Sequence, residues 1–185
     1  MLRIFLIILV WCFAGSAIAR EIPMWEGIKK NPAMIAADEE FIAAIEKAGG
    51  RRAGANRANQ LGWDFLGQHN PDMAIKRFNQ AWLLDPSNPN IYWGYAVAVH
   101  QQGRPISEVK RFFTKAERGF ASNRAAMVDL YSDEGQVFGE RRMYRESIKA
   151  FEKALKLNPN HKKSRRGIVI SANAIGDTAT AKKYR

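Results

Sequence analysis

Thiols and catalytic side-chain clusters are scarce in this sequence. Its 185 residues include one cysteine, Cys12, which lies in a segment that we expect to be removed. The mature chain would then have no disulfide, no cysteine nucleophile and no cysteine-ligated zinc. The three histidines, His69, His100 and His161, are widely separated, and their spacing matches neither a helical histidine pair nor a zinc motif. The sequence also lacks a glycine-rich loop followed by Lys-Ser or Lys-Thr, which would bind phosphate. We therefore expect no enzymatic activity, no metal site and no cofactor.

The only long apolar run lies at the start of the chain, where residues 1–19 have the pattern of a signal peptide. Arg3 provides the positive start, residues 4–14 are almost entirely apolar, and Ala17-Ile18-Ala19 is a small-x-small cleavage site. The run is short for a membrane span, which needs about 20 residues. We expect cleavage after Ala19 and export across the inner membrane of a bacterium, to the periplasm. The alternative is a signal retained as an anchor.

The chain contains an internal repeat with an offset of 73 residues. Residues 74–81 and 147–154 share Ile, Lys, Phe and Ala at matching positions, and residues 84–86 and 157–159 are both Leu-Asx-Pro. The same offset relates Gly62 to Gly135 and Phe65 to Phe138. The Ala and Phe positions recur at helical spacing, and each proline ends its helix. This spacing indicates paired helices with small residues at their contacts.

This pattern resembles the tetratricopeptide repeat, a pair of antiparallel helices that recurs about every 34 residues. The resemblance implies an all-α fold, a right-handed α-solenoid of about three to four helix pairs with an N-terminal capping helix. The implied units are about 55–88, 89–122, 128–161 and a truncated unit at 162–185. In the second unit Glu108 and Lys115 stand where small residues belong. We therefore expect its second helix to pack loosely, with a longer turn near 121–126.

Residues 20–54 do not follow the repeat, and we interpret them as a helical extension and linker. Asn31-Pro32 favours a helix start, and Gly49-Gly50 favours its end. We expect residues 50–54 to form a flexible basic link. The helix carries an apolar stripe, which either caps the first repeat or contacts a second copy or a partner. The stripe consists of Met34, Ile35, Phe41, Ile42 and Ile45.

The resemblance also implies where a ligand binds, because the first helices of successive tetratricopeptide units line a concave groove. Trp63 and Trp93 would be large anchors, although either could instead be core packing. The asparagines could bond a peptide backbone in both directions, or could be simply solvated. The implied groove residues are Asn56, Asn59, Trp63, Asn90, Trp93, Val97, Asp129, Ser132 and Gln136. Chaperone-binding members clamp a carboxylate with Lys and Asn in the first unit. Asn59 and Trp63 stand at those positions, so we do not expect that activity.

Positive charge is concentrated near the end of the chain. The formal net charge is +11, and residues 162–185 hold seven cations and one anion. Cations at a helix start oppose the helix dipole and cost a few tenths of a kcal/mol each. The basic patch is Lys162, Lys163, Arg165 and Arg166. It is either a solvated helix end or a site for an acidic partner or an anionic membrane surface. No stacking aromatics are interleaved with these cations, so we do not expect nucleic acid.

These features predict a non-enzymatic scaffold or adaptor in the cell envelope that binds a segment of another protein in the groove. One alternative is a membrane-associated assembly factor held by its basic C-terminal helix. Another is a structural subunit of a larger secretion- or pilus-type complex, in which another chain completes the truncated last helix. The partner's identity and the oligomeric state stay open.

Overall fold

The computed structural model describes residues 20–185, and the expected signal peptide lies outside this range. Within it, a 3-10 turn at Pro23–Trp25 is followed by nine α-helices and no strand. The helices are α1 (Pro32–Ala48), α2 (Arg51–Gly67), α3 (Pro71–Leu84), α4 (Pro89–Gln101), α5 (Ile106–Phe120), α6 (Arg124–Glu140), α7 (Tyr144–Leu157), α8 (Lys162–Ala174) and α9 (Thr178–Tyr184). The prediction of an all-α fold is confirmed.

Consecutive helices from α2 onward pack as four pairs, α2–α3, α4–α5, α6–α7 and α8–α9. The second helix of one pair also packs on the first helix of the next. In addition, the first helices α2, α4, α6 and α8 contact one another in sequence. They therefore follow each other along one face of the solenoid, which we call the groove face. The second helices α3, α5 and α7 lie on the opposite face.

The pairs stack closely because one phenylalanine fits between two glycines. The Phe78 side chain on α3 is fully buried. A Cβ atom at Gly62 on α2 would lie 2.4 Å from its ring, and one at Gly94 on α4 would lie 2.3 Å away. The same arrangement recurs 73 residues later, where Phe151 lies between Gly135 and Gly167. These glycines thus allow a close approach between units, and the Gly94–Gly167 match extends the repeat found in the sequence.

Helix α5 packs closely, so the expectation of a loose second helix in this unit is wrong. The side chains of Val109, Phe112 and Ala116 are fully buried. Val109 and Phe112 stand 34 residues after Ile75 and Phe78 and are buried like them, so the helix keeps the repeat register. Ala116 provides the small buried side chain that was expected at position 115. The Lys115 side chain is exposed.

The structure has a short connection near residues 121–126, where a longer turn was expected. Helix α5 ends at Phe120 and α6 begins at Arg124, so only three residues separate them. The Asn123 side chain caps α6 by accepting a hydrogen bond from the Ala126 N–H at 3.1 Å. Helix α6 has 17 residues, whereas α4, the first helix of the preceding pair, has 13, so the additional residues of this unit lengthen the helix and not the turn.

Helix α1 covers the first pair only loosely. Within residues 20–185, every residue of α1 keeps part of its surface exposed, and Ile35 is 47% exposed. Its closest approach to α2 brings Ile45 against Gly54. The flexible link expected at residues 50–54 is wrong, because α2 begins at Arg51. Gly49 and Gly50, with φ of +152° and +90°, make the whole connection in a region that favours glycine.

The chain before α1 crosses the second-helix face. Residues 21–26, which we call the strap, lie against α3 and α5, and Pro23 is buried there. The fully buried Asn79 side chain on α3 accepts a hydrogen bond from the Met24 N–H at 2.7 Å. It also donates one to the Ile22 carbonyl at 3.0 Å. The strap was not predicted from the sequence.

Candidate binding groove

Trp63 and Trp93 meet at the centre of the groove face. Their ring centroids are 5.0 Å apart and their planes are 72° apart, which is an edge-to-face contact. Trp63 also meets Phe78 edge-on at 5.9 Å, and Trp93 meets Phe120 at 6.1 Å. Both indoles remain partly exposed. Each tryptophan therefore packs on the core and still presents part of its ring to the groove, which combines the two alternatives left open by the sequence.

Asp133 on α6 connects three of the first helices. Its Oδ2 accepts a hydrogen bond from Trp93 Nε1 on α4 at 3.2 Å. Its Oδ1 accepts one from Lys163 Nζ on α8 at 2.7 Å. Asp133 was not among the predicted groove residues, although it lies four residues after Asp129 and hence on the same helical face. That spacing is the signal that could have identified it.

A cavity of about 450 Å³ lies beside the two tryptophans. Trp63 and Val97 give it an apolar wall, and Asp133, Gln136 and Glu140 provide polar groups along α6. Ligand sites in proteins commonly combine apolar walls with a few placed polar groups at this size. The cavity can accept one or two side chains of a bound segment.

One end of this cavity is closed by a hydrogen-bonded cluster around His100. Arg141 Nε donates to His100 Nδ1 at 3.0 Å, so the ring hydrogen is on Nε2 and points to Glu140 Oε2 at 2.7 Å. Burial raises the pKa of the Glu140 carboxyl, but hydrogen bonds from Gln136 and His100 outweigh this effect and hold the pKa below its ordinary value. Glu140 is thus a carboxylate at neutral pH. Both ring nitrogens of His100 are engaged, so the ring ties α4 to α6.

The remaining predicted groove residues differ in what they offer a ligand. Asn56, Asp129 and Gln136 are exposed. Asn90 is half-buried and its amide donates to Asn88 Oδ1 at 3.2 Å within the cap of α4. Ser132 is 1% exposed, so its assignment to the groove surface is wrong: the short side chain is covered by its neighbours.

Asn59 is partly buried in the groove face. Its Oδ1 atom is buried and has no hydrogen-bond partner among residues 20–185. A buried acceptor without a partner costs about 1–3 kcal/mol.

The groove continues between α6 and α8 as a second cavity of about 440 Å³. Its floor includes the ring of Phe151, and Gln136 and Glu140 stand on the α6 side. Lys163 and Arg166 stand on the α8 side. Ile170, also on α8, is 61% exposed at its edge. The groove face therefore changes from aromatic and acidic at its centre to basic and apolar at its C-terminal end.

Comparison with known families gives two matches, both to models described as tetratricopeptide repeat. They cover residues 59–123 and 128–161, together more than half of the chain. The chain belongs to the tetratricopeptide repeat family. Repeats of this family typically form non-enzymatic scaffolds for interaction between proteins, and these repeats support such a scaffold. No curated protein matches the chain in sequence.

Solved structures share this tetratricopeptide fold. A structure of PilF from Pseudomonas aeruginosa matches with a TM-score of 0.62 and 20% identity over 72% of this chain. The match spans 59% of that PilF chain, which is less than two thirds of its length. Two crystal structures of MamA match with TM-scores of 0.58 and 0.56, at 18% and 20% identity. They cover 85% and 82% of this chain, and 92% and 76% of the respective MamA chains. At identities of 18–20%, the similarity establishes a shared fold alone.

The basic patch expected at the start of the last tetratricopeptide unit is divided between two faces. Lys163 and Arg166 line the groove, and Lys163 is already bonded to Asp133. Arg165 turns to the other side of α8, where its guanidinium donates to the Pro159 carbonyl at 3.1 Å. Successive helical residues are about 100° apart, so the four cations of the predicted basic patch do not share one face. Lys162 is exposed.

Among residues 20–185, no helix combines the length and the apolar character needed to cross a bilayer. In the same range no group of three or more His, Cys, Asp or Glu side chains is placed to bind a metal ion.

Proposed function

We propose that this chain is an adaptor of the cell envelope that binds a segment of a partner protein in the groove. One observation carries the proposal. Trp63 and Trp93 form a partly exposed aromatic pair beside a cavity of about 450 Å³, at the centre of the face formed by the first helices. Tryptophans that are packed on one side and open on the other lose little side-chain entropy on binding, because they are already held in place.

The charge around the tryptophan pair supports a particular kind of segment. Asp133 is paired with Lys163 at 2.7 Å, and the Glu140 carboxylate is bonded to Gln136 and His100, so both carboxylates at the centre of the groove already have partners. The more C-terminal cavity carries Arg166 beside the exposed Ile170. A segment with an apolar residue opposite the indoles, and with an acidic and an apolar residue nearer Arg166, would complement this surface.

Replacing both Trp63 and Trp93 with alanine should weaken capture of the partner about 30-fold or more, because the loss of even one hot-spot tryptophan costs about 2 kcal/mol or more. The measurement compares proteins retained by the wild-type chain and by the variant from periplasmic and membrane fractions, followed by titration of the strongest shared partner. Circular dichroism of each variant checks that the helices remain.

Trp82 provides a matched control for the tryptophan variant. It lies on α3, and its indole N–H donates to the Tyr92 hydroxyl at 3.2 Å, away from the groove. Trp82→Ala removes the same side chain and should leave partner capture unchanged. Full capture by a folded Trp63→Ala/Trp93→Ala variant would refute the groove as the binding site.

The envelope location is proposed from residues 1–19, whose sequence supports export and cleavage after Ala19. N-terminal sequencing of the protein purified from its native cells is expected to start at Arg20, with the protein in the periplasmic fraction. A start at Met1 in the membrane fraction would instead support a retained anchor, and a start at Met1 in the cytoplasm would reject export.

A further inference from the structure

The strap occupies a slot on the second-helix face, and the slot binds mostly backbone. The Asn79 amide bonds the Met24 N–H and the Ile22 carbonyl at 2.7 and 3.0 Å. Asp72 Oδ1 accepts from the Glu21 N–H at 2.9 Å, and Gln102 Nε2 donates to the Glu21 carbonyl at 3.2 Å. These four contacts do not depend on the side chains of the bound segment, so another extended segment could form them.

Side-chain contacts add a preference for acidic residues around a proline. Pro23 is buried in the slot. The Arg111 guanidinium makes two hydrogen bonds to the Glu26 carboxylate, at 2.7 and 2.6 Å. At the other end Lys76 Nζ lies 3.4 Å from Glu21 Oε1. Paired Arg–carboxylate bonds give geometric specificity, so the slot selects a segment in which carboxylates lie on both sides of a proline.

The backbone of the strap is strained, and α1, the helix that follows it, is loosely packed. Met24 and Trp25 have φ of +55° and +50°, a left-handed conformation that is unfavourable for residues other than glycine. The strap leads through Ile28, which is 42% exposed, to α1, whose residues all remain partly exposed in the described chain. This strain offsets part of the free energy that the contacts of the strap supply.

The slot also extends beyond the strap. A cavity of about 340 Å³ adjoins Met24 and Glu26 and follows α5. Arg111, Lys115 and Arg118 line it at spacings of four and three, which places these cations on one helical face. Glu26 is the one acidic residue of the strap beside these three cations. A longer acidic segment would therefore make contacts that the strap does not make.

We propose that the slot between α3 and α5 is a second peptide-binding site, on the face opposite the groove. Its ligand is an extended acidic segment of a partner protein, with a proline between two carboxylates and further acidic residues along α5. In the free chain the strap occupies the slot, and the partner's segment replaces it. The site is independent of the tryptophan groove.

The test uses the full mature chain with a specific protease site inserted after Gly27, in the exposed connection to α1. After cleavage the strap loses its high effective concentration and becomes an exchangeable ligand. The probes are two fluorescent peptides, one with the sequence of residues 20–28 and one in which four glutamates follow that sequence. Fluorescence anisotropy measures binding to the cleaved chain, and circular dichroism verifies that it stays folded.

We expect both peptides to bind saturably, the glutamate-extended one about tenfold or more tightly, which corresponds to about 1.4 kcal/mol. Arg111→Glu should weaken binding of both, and a peptide with Arg at the position of Glu26 should bind the Arg111→Glu chain better than the wild-type chain. The Trp63→Ala/Trp93→Ala variant should bind both peptides normally, which separates this site from the groove.

Two outcomes would overturn the proposal. One is the absence of saturable binding by a folded, cleaved chain. The other is binding that Arg111→Glu leaves unchanged while Arg166→Glu abolishes it, since the peptide would then occupy the groove or a general basic surface.

Discussion

Phe78→Ala is expected to lower the free energy of unfolding by about 3–5 kcal/mol, the usual range for truncating a buried phenylalanine. The ring is fully buried between α2 and α4 and meets Tyr95 edge-on at 5.8 Å. The cavity cannot close easily, because the backbones at Gly62 and Gly94 already touch the ring from both sides. Guanidinium denaturation followed by circular dichroism measures the effect. A domain of ordinary stability, about 5–15 kcal/mol, could lose much of its margin.

If Phe78→Ala does not fold, two less disruptive variants, Gly94→Ala and Phe78→Leu, test the contact between Phe78 and Gly94. Gly94→Ala should destabilise the wild-type chain, although alanine favours a helix by about 1 kcal/mol, because its Cβ would lie 2.3 Å from Phe78 Cζ. Leucine at position 78 lacks the ring atoms that clash. In the Phe78→Leu chain, Gly94→Ala should therefore be neutral or stabilising.

Gly67→Ala is the control for helix propensity. Apart from adjoining residues and its own helix backbone, no atom of residues 20–185 would lie within 4 Å of a Cβ added at Gly67, so alanine meets no steric clash there. This change should stabilise the chain slightly in both backgrounds. If Gly94→Ala behaves like Gly67→Ala in the wild-type chain, the close packing of Phe78 between the glycines is wrong.

The repeat was predictable from the sequence because its packing uses side-chain types at fixed spacing. Phe78 and Gly62 recur as Phe151 and Gly135, and the structure brings each pair into contact. The pattern failed at one position of α5, where the small buried residue is Ala116 and not residue 115, while Val109 and Phe112 keep the packing close. A departure at one position of a family pattern therefore does not by itself predict loose packing.

The groove was partly predictable. Register alone placed Trp63 and Trp93 together, and the structure shows the two rings 5.0 Å apart. Asp133 was missed because its role depends on two partners, Trp93 and Lys163, from units that are distant in sequence. Ser132 was assigned to the surface because helical spacing gives the direction of a side chain, but it does not show whether neighbouring residues cover it.

The strap was not predictable by the same reasoning. Its main contacts are hydrogen bonds between its backbone atoms and the side chains of Asn79, Asp72 and Gln102, and backbone atoms leave no pattern in a sequence. Asn79 also stands between Phe78 and Gln80 in a helix, where a polar residue is ordinarily solvated. The structure instead shows that Asn79 is fully buried beneath the strap.

Asn79→Leu is expected to lower the free energy of unfolding by about 2–4 kcal/mol, because it leaves several buried groups without partners. Besides its two bonds to the strap, Asn79 Oδ1 accepts a hydrogen bond from the Tyr95 hydroxyl at 2.7 Å. Burial raises the pKa of Tyr95 well above its ordinary value, so this hydroxyl remains a donor throughout the working pH range. Chemical denaturation measures the loss, and hydrogen exchange at the Met24 amide should accelerate as the strap detaches.

Tyr95→Phe distinguishes two effects of Asn79→Leu: the loss of the Tyr95 hydrogen bond and the loss of the bonds to the strap. In the Asn79→Leu chain, Tyr95→Phe removes a donor that has lost its acceptor, so it should restore part of the stability. In the wild-type chain the same change removes a satisfied hydrogen bond and should cost about 1 kcal/mol. Met24 exchange should stay fast in the double variant, because the strap still lacks the Asn79 amide. Equal effects of Tyr95→Phe in both backgrounds would show that Asn79 and Tyr95 are not coupled, and slow Met24 exchange would show that Asn79 does not hold the strap.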